Sequence, residues 1–371
     1  MNLRGSNSEK SIALLGKRDF PTDGVADYCD WLQQALTKQG HEFAILEMPW
    51  SKVGWLQAFQ WLWDQSQHWQ GTWVVVQYTA FAWSKRGLPF AFLLAVLLLR
   101  WRGVKLAVIY HDTQGFPGDR WIDRLRRTIQ ESIMRLSYGL ADRVLTTIEF
   151  SRMPWLPTPP GKAFLLPVGS NVPEPAHPPV RVARGPGEPK TILVFGITGE
   201  PHTSAEVERI ADPIRQAAAQ VSGLRLIASG RGSLEAEERL RQALTNYPVE
   251  IEVLGLISAE RIAELLLVVD VLLFVRGNIS SGRTSVVVGI AAGLPIVGYS
   301  GPHTGFPITE AGIMLVPPGD RDQLGQDLTA VLTNPALWQS LHQKNLEAQQ
   351  QYFAWDTIAT QYLRALYDDA A

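Results

Sequence analysis

Two runs of short apolar segments, with helical periods between them and a proline-rich break separating the runs, decide most of what this chain can fold into. In the first run the apolar segments fall at 12–15, 43–48, 74–78, 106–110, 144–148 and 163–168. In the second they fall at 192–195, 224–228, 249–254, 271–275, 296–299 and 313–316. Short strands alternating with helices predict parallel sheets carrying helices. The break at 173–189, P-E-P-A-H-P-P-V-R-V-A-R-G-P-G-E-P, is neither helix nor central strand, because proline fixes φ and lacks a donor. It predicts a linker between two doubly wound α/β domains, 1–172 and 190–345, with 346–371 as a last helical segment. At 371 residues the chain is too long for one ordinary core, which agrees with two.

Composition narrows the classes. A net charge of −2 gives no general attraction to nucleic acid. The single cysteine, Cys29, excludes an internal disulfide framework and a cysteine-based zinc site, and suits a reducing compartment. Cys29 itself sits at helical spacing among Val25, Tyr28, Leu32, Ala35 and Leu36, so it reads as a small core residue. The first ten residues, M-N-L-R-G-S-N-S-E-K, lack the apolar centre of a signal peptide, and no run reaches the ~18 apolar residues of a membrane span. These features set a cytoplasmic expectation.

The chemistry concentrates between Arg276 and Asp320. A strand at 271–275 opens into a polar loop with Arg276, Ser280, Ser281, Arg283, Thr284 and Ser285. A small-residue helix follows from about Thr284, and Gly293 with Pro295 stops it before the next strand. Free N–H groups at a helix start, hydroxyls and guanidinium groups together form a receptor for an anion such as phosphate. Arg231, in I-A-S-G-R-G-S, follows another strand and adds a third candidate phosphate contact. A surface ion pair is the plain alternative for each arginine.

The order R-G-N-I-S-S-G-R-T-S, then A-A-G-L-P-I-V, then G-I-M-L-V-P-P-G-D closely resembles the donor-binding half of retaining, family-4-type GT-B glycosyltransferases. The resemblance implies two Rossmann-like domains facing across a cleft, with a nucleotide-sugar donor held by the second, the acceptor side on the first, and the last segment, 346–371, crossing back to the first domain. Members of the family usually carry two glutamates, the first in the loop and the second on the helix before A-x-G-L-P. Here the matching places hold Ser281 and Val288, so the usual grip on sugar and ribose is absent. The family also commonly has a Lys or Arg after the first strand of the second domain, where this chain reads G-I-T-G-E-P-H-T. Diphosphate neutralisation therefore falls to Arg283, Arg276 and Arg231 or to backbone N–H groups.

Three further places face the expected cleft. Asp23 and Gly24 open the first helix, and a glycine turn there lets phosphate or acceptor approach the backbone, unless it is simply a cap and a turn. His111 directly follows the fourth strand, where α/β folds place their chemistry. It resembles a histidine of many family members and is the candidate catalytic residue, with a structural bond beside the strand end as the alternative. Asp112 after it is an acceptor-side candidate or a helix cap.

A membrane is the other implied partner. Residues 88–99 are an unbroken apolar run followed by R-W-R-G, and a helical pattern with Arg120, Arg124, Arg126, Arg127 and Arg135 comes next. Eleven of the thirteen tryptophans precede residue 160, which suits a bilayer interface, while a buried helix packed on the sheet is the other explanation. The resemblance implies transfer of a sugar from a nucleotide diphosphate to a carbohydrate or lipid-linked hydroxyl with retention, without a metal or other cofactor and without nucleic acid. The missing glutamates keep two other readings open: a GT-B-fold binding subunit without catalysis, or another enzyme of this fold such as an epimerase.

Overall fold

The structure, a computed structural model, describes residues 10–19, 23–158, 161–174, 180–185, 187–197 and 203–368. The chain divides into two compact units, residues 1–167 with 355–371, and residues 168–354.

In the first unit the elements run β1 (Lys10–Leu15), α1 (Gly24–Lys38), β2 (Glu42–Glu47), α2 (Trp50–Val53), α3 (Trp55–Ser66), β3 (Trp73–Tyr78), α4 (Phe90–Trp101), β4 (Lys105–Tyr110), α5 (Trp121–Leu140), β5 (Arg143–Thr146) and β6 (Ala163–Leu165). The strands form one parallel sheet in the order β2-β1-β3-β4-β5-β6. β3 is buried along its whole length, and β4 along all but its first residue, as sheets covered on both faces require. Right-handed crossovers put α1 on one face and α3, α4 and α5 side by side on the other. The last two strands end earlier than their apolar runs. Thr146 Oγ1 turns to Ile148 O (3.0 Å), and Pro167 has no donor to continue a ladder.

The second unit contains β7 (Lys190–Phe195), α6 (Thr203–Ala218), β8 (Leu224–Ser229), α7 (Ser233–Leu244), β9 (Val249–Gly255), α8 (Ala259–Leu266), β10 (Val271–Phe274), α9 (Thr284–Ala291), β11 (Ile296–Tyr299), β12 (Ile313–Val316), α10 (Arg321–Thr333) and α11 (Pro335–Ala348). Its parallel sheet runs β12-β11-β10-β7-β8-β9, the strand order of a dinucleotide-binding fold. The connections leave β7 in both directions, so the crossover reverses between β7 and β10. Asn345, fully buried, fastens the far edge by donating to Leu294 O (2.7 Å) and accepting from Gly312 N (2.8 Å).

The 173–189 segment, expected as a linker, belongs to this unit, with residues 175–179 and 186 outside those described. Arg181 donates to Leu266 O (3.1 Å) and to Val269 O, and Arg184 pairs with Asp270 at 3.4 Å. Asp270 in turn accepts from Thr191 N (2.7 Å), so two arginines tie an extended strand of chain to the N-terminal edge of β7 and β10.

The last helix, α12 (Trp355–Tyr367), belongs to the first unit and packs against α1. Trp355 meets Tyr28 edge-on at 5.4 Å, and Tyr362 Oη donates to Ser11 Oγ (3.0 Å). Among the described residues no helix is long and apolar enough to cross a membrane.

Candidate functional site

The loop between β10 and α9 is built by its neighbours. Ile279 N donates to Tyr299 O (2.9 Å), and Thr304 Oγ1 donates to Ile279 O (2.6 Å) while accepting from Gly301 N (2.8 Å). A Cβ on Gly301 would overlap Asn278, so the turn after β11 lies directly on the loop. Ser281 O accepts from Val168 N (3.1 Å), and Arg283 N closes a turn onto Ser280 O (3.1 Å). α9 then starts with Arg283 as its cap residue, whose own side chain does not cap the first N–H groups. At the other end Gly293 is left-handed (φ +62°), and Leu294 N reaches back to Gly289 O (2.9 Å) while Gly293 N reaches Ile290 O (2.9 Å). Small residues let this helix sit close: a Cβ on Gly289 would press on Leu272 and Ile296.

Two guanidinium groups occupy this corner. Arg276 is exposed and donates Nη1 to Gly196 O (3.2 Å), in the turn that leaves β7. Gly196 has φ +92°, a conformation that a side chain would strain. Arg283 has an exposed face, yet burial of the rest of the group, then the charge of Arg276, push its pKa below the ordinary arginine range. Its Nη2 lies 3.4 Å from where a Cβ on Gly277 would stand. Neither arginine has a carboxylate partner among the described residues. His303 completes the corner: its Nε2 is buried without a hydrogen-bond partner, and burial, then Arg283, hold its pKa below the usual histidine value.

The structure therefore brings Arg276, Ser280, Ser281, Arg283, Thr284 and Ser285 to the strand ends where the connections reverse. Ser280 and Ser281 are buried, while Thr284 and Ser285 are half-buried in the first turn of α9. Arg231 stands apart, exposed after β8, on the far side of β7. Gly230 beside it explains the tight turn, because a Cβ there would sit 2.4 Å from Ile197 N. The residues 198–202, part of the turn read as lacking a base, lie outside the described residues. Val288 is fully covered and lines a mostly apolar groove of about 210 Å³ with Val172, Ala263, Leu266, Leu267 and Ala292, to which Glu174 and Glu264 also contribute.

In the first unit, His111 Nε2 bonds Gln77 Oε1 (2.8 Å), whose own amide donates to Val75 O (3.3 Å). That orientation makes Nε2 the donor and leaves Nδ1 as an acceptor. Tyr28 meets the imidazole edge-on at 5.1 Å, and burial pushes its pKa down to about 4, with Asp23 opposing the shift. The ring is thus neutral at pH 7. Asp112 is committed structurally: it accepts from Ala80 N (2.7 Å), and burial raises its pKa against that bond. Asp23 caps α1 by accepting from Val25 N (2.9 Å) and Ala26 N (3.0 Å), and it also takes Asp19 N (2.8 Å). Gly24 is exposed and has no strained φ, and a Cβ added there would meet nothing within 4 Å. Its backbone is open to approach without requiring glycine.

Sequence reasoning missed two residues. Gly16, directly after β1, is the glycine that sterics demand, because a Cβ would sit 2.5 Å from Ala82 O. Gln77, the lone polar residue in V-V-V-Q-Y, is the partner that orients His111. Both carried a signal: a glycine at a strand end, and a polar side chain in a buried strand.

No family model and no curated protein matches the sequence. Solved structures do. The chain is similar to a glycosyltransferase from Rickettsia africae, with a TM-score of 0.65 and 13% identity over 98% of this chain and 100% of that one. It is similar to HepE of Anabaena, solved with UDP and glucose, with a TM-score of 0.63 and 13% identity over 96% and 99%. Sucrose-phosphate synthase of Thermosynechococcus elongatus gives 0.62 and 16% identity over 95% and 97%. Identities this low speak for the fold. The chain has the GT-B fold of two Rossmann-like units.

Proposed function

We infer that the protein is a glycosyltransferase that moves a sugar from a nucleoside-diphosphate sugar to a hydroxyl of a carbohydrate or lipid-linked acceptor. The observation that carries this reading is the corner where β7, β10 and α9 meet, with Arg276 and Arg283 without a carboxylate partner among the described residues beside the start of a helix that its cap residue's side chain leaves open. Such a corner suits a diphosphate. During transfer the bond from the sugar's C1 to the diphosphate oxygen breaks and its electron pair stays on the diphosphate. Negative charge grows there while the acceptor oxygen bonds C1 and passes its proton to the departing diphosphate. Fixed guanidinium and N–H donors stabilise that growing charge without reorganising, which is where electrostatic catalysis acts. In this reading the arginines meet the charge without a metal, configuration is retained, and the enzyme works in the cytoplasm in polysaccharide or glycolipid assembly.

His111, neutral and oriented by Gln77, would offer Nδ1 as an acceptor to a sugar hydroxyl. A second reading, a binding subunit without transfer, is favoured by Val288 in its apolar groove, where the resemblance leads one to expect a carboxylate. Turnover separates them. Purified protein incubated with a panel of nucleoside-diphosphate sugars should slowly release the nucleoside diphosphate without an acceptor. Thermal stabilisation by a nucleotide with no hydrolysis of any sugar donor favours the binding subunit, and no stabilisation by any nucleotide sinks both.

A further inference from the structure

α4 has an apolar surface on both sides. Phe92, Ala95, Val96 and Leu99 pack into the core of the first unit. On the opposite side Phe90, Leu94, Leu97 and Trp101 are 52%, 54%, 43% and 69% exposed. Their spacing of four, three and four places them in one stripe along the helix. At about 1.5 Å per residue these twelve residues reach only ~18 Å, too short to span a bilayer.

The stripe continues onto both neighbours. On α3, Trp63 stacks on Trp101 with ring centroids 4.7 Å apart, and the Arg102 guanidinium lies 4.6 Å from the Trp63 ring. On α5, Trp121, Leu125 and Leu136 are exposed. Residues 51–140, which carry α3, α4 and α5, hold eleven Lys and Arg against five Asp and Glu, in a chain whose net charge is −2. Arg102, Arg120 and Arg124 have no carboxylate partner among the described residues. An apolar stripe of aromatic and aliphatic side chains with unpaired arginines at its rim matches the boundary of an anionic bilayer, where rings sit at headgroup depth and guanidinium groups meet phosphates.

We propose that the outer faces of α3, α4 and α5 form a docking surface for anionic lipid bilayers, with Leu94, Leu97 and Trp101 inserted and Arg102 and Arg124 at the headgroups. The surface is independent of the donor corner, so its test does not depend on the transferase reading. The experiment is flotation of the full chain with vesicles of phosphatidylcholine alone and of phosphatidylcholine with phosphatidylglycerol, at low and at physiological salt. Binding to the anionic vesicles is expected, weakened by salt. Leu94→Glu with Leu97→Glu should reduce it at least tenfold, and Arg102→Ser with Arg124→Ser should weaken it mainly on anionic vesicles. Leu94, Leu97 and Arg124 are exposed and Arg102 is half-buried over the Trp63 ring, so circular dichroism and nucleotide affinity should match the parent. Absence of binding to anionic vesicles at low salt overturns the proposal, as does binding that the Leu94→Glu, Leu97→Glu protein retains. A concentration-dependent dimer in sedimentation that the same substitutions abolish would assign the face to a second copy and overturn it equally.

Discussion

Arg276, at the end of β10, donates to the carbonyl of Gly196, at the end of β7, and so joins the two strands between which the sheet connections reverse. Ligands of open α/β sheets bind outside the strand ends at that reversal. The sequence lacks a base directly after β7, and this contact brings one there from the neighbouring strand. Burial first, and then the charge of Arg276 in the same corner, hold Arg283 below its ordinary pKa.

That arrangement predicts opposite effects on binding and on stability. Arg276→Ala loses one hydrogen bond to a carbonyl, about 1 kcal/mol, and relieves repulsion of similar size, so chemical denaturation should show a change within about 1 kcal/mol. Affinity for a nucleoside diphosphate should meanwhile fall about tenfold or more. A large loss of stability with unchanged affinity would mark Arg276 as a structural brace.

His303 makes the binding pH-dependent. Its folded pKa lies below the usual histidine value, so the ring is neutral at pH 7. A diphosphate brought beside Nε2 raises that pKa, and by linkage binding must strengthen as pH falls through the range where the complex takes up the proton. The diphosphate's own protonation opposes this, and a His303→Gln protein supplies the reference. The ratio of parent to variant affinity should rise about threefold to tenfold between pH 7.5 and 5.5. A constant ratio would place His303 outside the site.

The first unit should lose stability in mild acid through His111. Its pKa is near 4 when folded and 6.5 in the unfolded chain, so only the unfolded chain binds a proton between those values. Stability attributable to the neutral ring is complete above about pH 6.5 and is lost as pH falls toward 4, by about 1–3 kcal/mol. Urea unfolding of parent and His111→Gln at pH 7 and pH 5 measures it. The parent should lose more stability than the variant over that interval, and equal losses would refute the assignment.

Strand positions were legible because buried parallel strands leave unbroken apolar runs, and V-V-V-Q-Y or L-L-F-V needs no partner to be recognised. The loop at 276–285 was legible for a similar reason: polar residues between a strand and a small-residue helix have few other uses. The contact between Arg276 and Gly196 was not, because it joins residues 80 positions apart through a sheet order that local pattern does not encode. Asp112 shows the converse. Its position after a strand suggested chemistry, while its bond to Ala80 N across the neighbouring strand end gives it a structural task. The proline-rich segment shows the same limit, since Arg181 and Arg184 find carbonyl and carboxylate partners that composition cannot display.

The central claim, that the corner at Arg283 holds the diphosphate of a nucleotide-sugar donor, is tested most directly by calorimetry of nucleoside diphosphates with the parent and with Arg283→Ala. Loss of one charge-assisted contact costs about 1.5–3 kcal/mol, so affinity should fall about tenfold to a hundredfold while thermal stability stays near the parent's. Arg283→Lys should recover only part, because an ammonium lacks the planar fork. Equal affinity in Arg283→Ala and the parent would contradict the account.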